Sequence, residues 1–458
     1  MQAEQKYETK EKNDLTKGSI LKTLIVFSLP LMFANIIQAL YGAVDLMVIG
    51  RYCSPSSVAA VSNGTQVTQI ITSIITGMTL GGTILVGKYI GMRKTEEAKK
   101  AIGTTLTVFM LFSLALTVTM LCASGTILRL LQTPESSYAP AHLYVRICSS
   151  GIFFICGYNA ISSILRGYGD SLRPMYFVLI ACICNIFLDI LFVAVFRMDV
   201  AGTALATILS QGFSMLFSIL YLNRQHFLFT FRLSNLRIDP PKVKELAKLS
   251  IPISFQECMI RLSFLYLTAV VNSFGIYAAS AVGVASKYDV FAMLPATSIA
   301  SALSAITAQN LGAGKPERIR KSVFSGLAIA LSLSFCFFLW AQISPESMIS
   351  LFAKNPQIIE AGVPFFRTCS YDYLAVTFVF CLNGFLNGHS KTIFTMCSSC
   401  FGALVLRMPF LYLVQRFFPD SLAMLGCVAP TVSGIMAVYT LCYSIVLLSH
   451  TKSGQTQS

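Results

Sequence analysis

The chain has 458 residues, 55% of them hydrophobic and only 12% charged. With a mean hydropathy of +0.69, this composition excludes an ordinary soluble globular fold and points to a polytopic membrane protein. The net charge of +14 would suit a nucleic-acid partner, but the bases are spread over alternate connections instead of forming one patch, so no nucleic-acid partner is expected.

Residues 1–19 form a polar tail of mixed charge. No cleaved signal peptide is expected, and the first helix must direct its own insertion. Twelve apolar segments of membrane length follow, over 20–49, 57–87, 101–125, 141–165, 174–196, 200–222, 246–274, 277–310, 322–343, 360–386, 392–415 and 422–449. Basic residues crowd the tail (Lys6, Lys10, Lys12, Lys17, Lys22) and every second connection, as in Lys88 to Lys100, Arg166 with Arg173, Arg224 to Lys248 and Lys315 to Lys321. The other connections carry Arg51, Arg129, Arg197, Lys354 and Arg416, one apiece. Positive residues collect on the cytoplasmic side, so both termini are expected there. The 14 cysteines lie mostly in apolar segments; even Cys397 and Cys400 fall inside an expected helix, where small hydrophobes fill helix interfaces.

The sequence repeats itself with a shift of about 221 residues. SLPLMF at 28–33 matches SIPISF at 250–255, so Pro30 answers to Pro252. IGMRKTEEAKKAI at 90–102 matches LGAGKPERIRKSV at 311–323, YVRICS at 144–149 matches FFRTCS at 365–370, and LRGYGDSLRPM at 165–175 matches LNGHSKTIFTM at 386–396. Each copy holds an even number of spans, so the copies face the same way, and a substrate site is expected where they meet. The expected fold is an all-α membrane protein of twelve transmembrane helices in two pseudo-symmetric six-helix lobes, 20–222 and 246–449. A cytoplasmic linker at 223–245, broken by Asp239-Pro240-Pro241, joins them, and a cytoplasmic tail runs over 450–458.

Polar residues form stripes along several spans. Asn35, Gln38, Tyr41 and Asp45 share one face of the first helix, and Gln66 and Gln69 belong to a longer Ser, Thr, Asn and Gln stripe on the second. Interhelical packing by small polar groups accounts for the Ser and Thr. An intramembrane carboxylate is harder to place in hydrocarbon. Asn185 and Asp189 stack on one face of the fifth span. Asp45 lies roughly 13 Å outward of the middle of its segment, against a half-thickness of about 15 Å, and Asp189 roughly 6 Å outward of its own. Two readings of Asp45 stand: an acid at the outer headgroups, or half of a polar pocket shared with Asp189. Two carboxylates in a dry pocket repel, so such a pocket would bind H⁺, or Na⁺ if enough neutral oxygens converge.

The LYGAVDLMVIG at 40–50, the GMRKTEEAKKA connection, LRGYGD at 165–170, NIFLD at 185–189 and QNLGAGKPER at 309–318 resemble motifs of the multidrug and toxic compound extrusion (MATE) family. The resemblance covers nearly the whole chain and is nearest to DinF-like members. It implies an antiporter of twelve helices in the lipid bilayer of a bacterial cell's inner (plasma) membrane, with no cofactor, that expels amphipathic organic cations and drugs against H⁺ or Na⁺. It further implies an ion-coupling group of Asp45, Tyr144, Asn159, Asn185, Asp189 and Thr207. Pro30, which can kink the first helix below Asp45, is the conformational candidate. Gln38, Tyr41, Gln66, Gln69 and Glu257 are candidate substrate contacts. NorM-like members place acids in the seventh and tenth helices, where this chain has Glu257 and Asp372 at spacings that do not match cleanly; Glu257 also has Arg261 one turn on, a pairing that would neutralise it. Asp289 beside Lys287 carries the same ambiguity.

A lipid-linked sugar flippase of the wider superfamily is the alternative transporter; intramembrane bases are few, which disfavours it. An enzyme or receptor needs a catalytic set or a sizeable soluble region. The four histidines are dispersed and the connections are short, so neither is expected. A monomer is expected.

Overall fold

A computed structural model describes residues 14–130, 133–225, 227–232, 235–352, 355–419 and 421–452. Lys6, Lys10, Lys12, His226, Lys354 and the tail residues 453–458 lie outside the described residues. Among those described, every regular element is helical. Helix α1 is Ile20–Tyr52, α2 Pro55–Gly91 and α3 Thr95–Leu130. Helices α4 (Glu135–Ser150) and α5 (Ile152–Tyr168) form one span bent by 46°. Helix α6 (Leu172–Asp189) runs on through a π-helical stretch, Ile190–Val195, and α7 is Asp199–Arg224.

The second half follows the same order. It comprises α8 (Pro240–Ser273), α9 (Ile276–Gly312), α10 (Pro316–Ile343) and a short α11 (Pro345–Ser350). Helices α12 (Pro356–Cys369) and α13 (Tyr371–Gly388) are bent by 41°. Then come α14 (Thr392–Cys400), a π-helical stretch Phe401–Arg407, α15 (Met408–Phe417) and α16 (Leu422–Lys452). Among the described residues, 9 helices are long and apolar enough to cross a membrane, or up to 11 spans with each bent pair taken as one. Helix α8, diluted by Lys242, Lys244, Glu245, Glu257 and Arg261, completes the twelve.

Local chemistry explains the punctuation. Ser54 caps α2, accepting a hydrogen bond from the Ser57 amide at 3.3 Å, with Pro55 in the first turn where its missing N–H costs nothing. Gly169, at φ +101°, ends α5 in the left-handed conformation that favours glycine. The bends replace the single fourth and tenth spans expected from hydropathy. They fall at Ser149-Ser150-Gly151 and at Ser370, equivalent places in the repeat, where Gly and Ser loosen the helical ladder.

The described residues divide into two compact units, Pro30–Ser254 with Asp14, and Leu15–Leu29 with the described residues from Phe255 onward. The boundaries run through two helices instead of between them. The first ten residues of α1 belong to the second unit and the first fifteen of α8 to the first, with Pro30 and Pro252 at the changeovers.

In the first unit one core gathers Ile71, Ile75, Tyr144, Val145 and Cys148, and another Phe109, Tyr158, Ile161, Phe177 and Phe229. In the second, Tyr288, Phe365, Phe366 and Leu411 form the larger core, and Val323, Leu382 and Phe385 a smaller one. Helix α6 shows the membrane logic residue by residue. Phe177, Ala181, Asn185 and Asp189 are buried, while Tyr176, Leu179, Ile183 and Phe187 are exposed on the opposite side. The polar face looks into protein and the apolar face outward, as lipid requires.

Candidate functional site

Asp45 enters the first unit from α1 and Asp189 from the last residue of α6, and they are 6% and 0% exposed. The two carboxylates are neighbours, with the Asn185 amide beside them. The π-helical stretch begins immediately after Asp189. A widened turn there re-aims the helix end that carries the acid, a recurrent use of such turns at functional sites.

Helix α7 supplies the hydroxyls. Thr207 Oγ1 donates to Asp45 Oδ2 at 3.5 Å and to the Thr203 carbonyl of its own helix at 3.0 Å. Tyr41, one turn before Asp45, hydrogen-bonds the Thr207 carbonyl at 3.2 Å and the Ser210 hydroxyl at 2.8 Å, tying α1 to α7 below the acids. Asp45 Oδ1, both Asp189 oxygens, both Asn185 side-chain atoms and Thr203 Oγ1 are buried with no hydrogen-bond partner among the described residues. Leaving such groups unpaired in a dry interior is costly, and a carboxylate more so than a neutral group. The donor set therefore suits a shared cation: two anionic oxygen pairs, an amide oxygen and hydroxyls, the groups that hold H⁺ or a hard metal ion. Among the described residues no cluster of three His, Cys, Asp or Glu is arranged for a metal.

The remaining sequence-derived residues fall in three places. Tyr144 is buried in the same region as Asp45, its hydroxyl 3.5 Å from Thr65 Oγ1. Gly64 makes room for its ring: a Cβ there would sit 3.1 Å from Tyr144 Cε1. Asn159 donates to the Ile155 carbonyl of its own helix at 2.8 Å. Gln38, Gln66 and Gln69 are exposed along α1 and α2. In the second unit Glu257 is half-buried beside Arg261. Asp289 and Asp372 are neighbours of each other, with Tyr373 next to Asp289 and Ser433 and Arg407 next to Asp372. The Arg407 guanidinium lies 5.0 Å from the centre of the Phe264 ring. Thr65 belongs to the polar stripe of the second span, whereas Ser210 and Thr203 lie outside the stripes read from the sequence. The signal for Ser210 is its spacing, one turn after Thr207 on the same face.

An internally duplicated helical bundle with buried acids inside one copy defines a secondary transporter fold. A family profile described as MatE matches twice, over residues 30–191 and 252–413, starting at Pro30 and Pro252. The chain belongs to this family, the MATE transporters. The probable multidrug resistance protein YpnP of Bacillus subtilis (strain 168) is 30% identical over 404 residues, covering 87% of this chain and 89% of the relative. Among solved structures, a MOP superfamily transporter from Pyrococcus furiosus superposes with a TM-score of 0.89 at 21% identity, over 96% of this chain and 98% of that one. A MATE described as being in the bent conformation gives 0.90 at 21% identity, over 97% and 98%. These relatives are transporters and not enzymes, and they share the twelve-helix, two-lobed fold.

Proposed function

We propose that the chain is a secondary active multidrug exporter that antiports amphipathic organic cations against H⁺ or Na⁺ by alternating access of its two lobes. It works as a monomer in the bacterial plasma membrane with both termini cytoplasmic. The observation that carries this reading is the buried Asp45 and Asp189 pair with oxygens that no described donor reaches. One cation between two adjacent carboxylates relieves their repulsion and satisfies those oxygens together. A proton is the favoured ion, because the neutral oxygens beside the pair, from Asn185 and Thr207, are few for a bare metal ion. Occupancy of the pair from outside changes what Asp45 binds, and Pro30 lies four turns below it on α1. A bend at Pro30 then couples the ion to release of the drug.

The test is purified protein in proteoliposomes, with pH and Na⁺ gradients imposed separately and ethidium or a fluoroquinolone as substrate. Movement driven by an imposed inward H⁺ gradient is expected. Movement driven only by Na⁺ would overturn the choice of proton, and no gradient-dependent movement with either ion would overturn the antiporter. Tyr41→Phe checks the support of the pair. It removes the hydroxyl that holds Ser210 and the Thr207 carbonyl, a net loss of about 1 kcal/mol. The ion concentration giving half-maximal transport is expected to shift by about fivefold on that scale, with the maximal rate retained.

A further inference from the structure

Each of the two divided helices is held near its inner end by side chains at shared positions of the repeat, on the leading peptide in one unit and on the first turns of the helix in the other. In the second unit, residues 15–18 precede α1, and side chains of α9 and α10 and of their connection take up their backbone. Leu15 N–H donates to Gln309 Oε1 at 3.2 Å, and Asn310 Nδ2 donates back to the Leu15 carbonyl at 3.2 Å. Lys315 Nζ reaches the Thr16 carbonyl at 2.8 Å. Arg318 donates from Nε to Leu15 O at 3.2 Å, from Nη1 to Gly18 O at 2.7 Å, and from Nη2 to Lys17 O. Gly18, at φ +72°, turns the carbonyls toward this fork.

In the first unit the equivalent peptide, 236–239, precedes α8. Thr104 Oγ1 bonds the Arg237 carbonyl at 3.4 Å and accepts from the Asp239 N–H at 3.2 Å. The first turns of α8 are then gripped by Lys88, Tyr89 and Glu97, the repeat equivalents of Gln309, Asn310 and Arg318. Lys88 and Tyr89 hold Glu245 at 2.6 and 2.7 Å. Glu97 holds Lys242 at 2.9 Å, with the ammonium 3.7 Å from the centre of the Tyr89 ring. The three equivalent positions hold backbone before α1 in one unit and side chains of the first turns of α8 in the other, with opposite charge at 97 and 318.

We infer that Arg318 is a positioning residue for transport: it anchors residues 15–18, and through them the inner half of α1, to the second unit. Pro30 thereby becomes a hinge with one arm fixed. Ion binding at Asp45 then moves only the outer arm. A fixed arm is what turns a local change at Asp45 into a bend, because an unanchored α1 could follow Asp45 as a straight rod. The inference rests on the ion-coupling reading of Asp45 and Asp189.

The test is Arg318→Gln and Arg318→Lys in the full-length protein, with transport and amide hydrogen exchange measured together. Gradient-driven ethidium transport is expected to fall about tenfold in Arg318→Gln, the scale of losing charge-assisted hydrogen bonds, with KM for ethidium unchanged. Arg318→Lys should recover part of the rate. In the parent protein, protection factors, which correct for the pH dependence of intrinsic amide exchange, should change between low and high pH at residues 31–45 and stay constant at 20–29. In Arg318→Gln the change should spread to 20–29. Protection at 20–29 that is lowered equally at both pH values would mean the contact is merely structural and would overturn the inference, as would an unchanged transport rate. Failure of the coupling reading is separately visible, because Asp45→Asn would then still transport on a gradient.

Discussion

Asp189→Asn and Asp45→Asn are each expected to lower ion-driven efflux by roughly a hundredfold, the consequence of losing about 3 kcal/mol from a buried, paired charge. Asn keeps the size and shape of Asp, but it replaces one acceptor oxygen with a donor NH₂ and cannot take up a proton or carry the negative charge that attracts a cation. Asp189 is completely buried and Asp45 nearly so, so bulk water cannot substitute for the missing group. The pair acts as one site, so the double variant should be scarcely worse than either single one, a marked departure from additivity. The measurement is ethidium efflux from proteoliposomes under an imposed gradient, with size-exclusion elution to show that each variant is folded. Full gradient-driven transport in both variants would remove the pair from the mechanism.

The second large effect concerns stability. Gly77 and Gly81 are one turn apart on α2, and facing them on α8 are Ser254 and Ser250, also one turn apart. Small residues at this spacing let two helix backbones close to within packing distance in a membrane. Ser254 Oγ donates across the seam to the Ile74 carbonyl at 2.9 Å. A Cβ on Gly77 would lie 2.5 Å from Ser254 Cα, and one on Gly81 3.0 Å from Ser250 Cα. The Gly77 clash is with backbone, which cannot swing aside as a flexible side chain can, whereas the nearest atom to Gly81 is the Ser250 hydroxyl. Gly77→Ala is therefore expected to destabilise by about 1–3 kcal/mol and to lower the melting temperature in detergent. Gly42→Ala on α1, where a Cβ meets nothing within 4 Å, is the control and should be neutral or slightly stabilising. Equal melting temperatures for the two variants would mean that the seam is not tight.

Much of the fold was legible because membrane insertion writes itself into composition. Uncharged runs mark the spans, and the repeat links Pro30 to Pro252 without any structure. The face shared by Asn185 and Asp189 was legible for a similar reason, since 3.6 residues per turn fixes which residues stack. What periodicity does not report is which helices are neighbours. The stripe makes Tyr41 a candidate substrate contact, but its bonds to Ser210 and Thr207, across 166 or more residues of chain, cannot be read from it. The π-helical stretch after Asp189 and the passage of the unit boundaries through α1 and α8 left no trace in hydropathy. Both arise from tertiary packing, which a one-dimensional pattern of apolar residues does not encode.

The divided membership of α1 bears on the order in which the molecule can be built. The helix is made first, yet residues 15–29 belong with the described residues from Phe255 onward, which are made last. Its inner half must sit in the bilayer without its final neighbours while more than two hundred residues are synthesised. A chain cut at 223–239 should therefore recover function only when both fragments are produced together, because the amino-terminal fragment carries a piece that belongs to the other. The duplication thus yielded two halves that are copies in sequence but obligate partners in assembly.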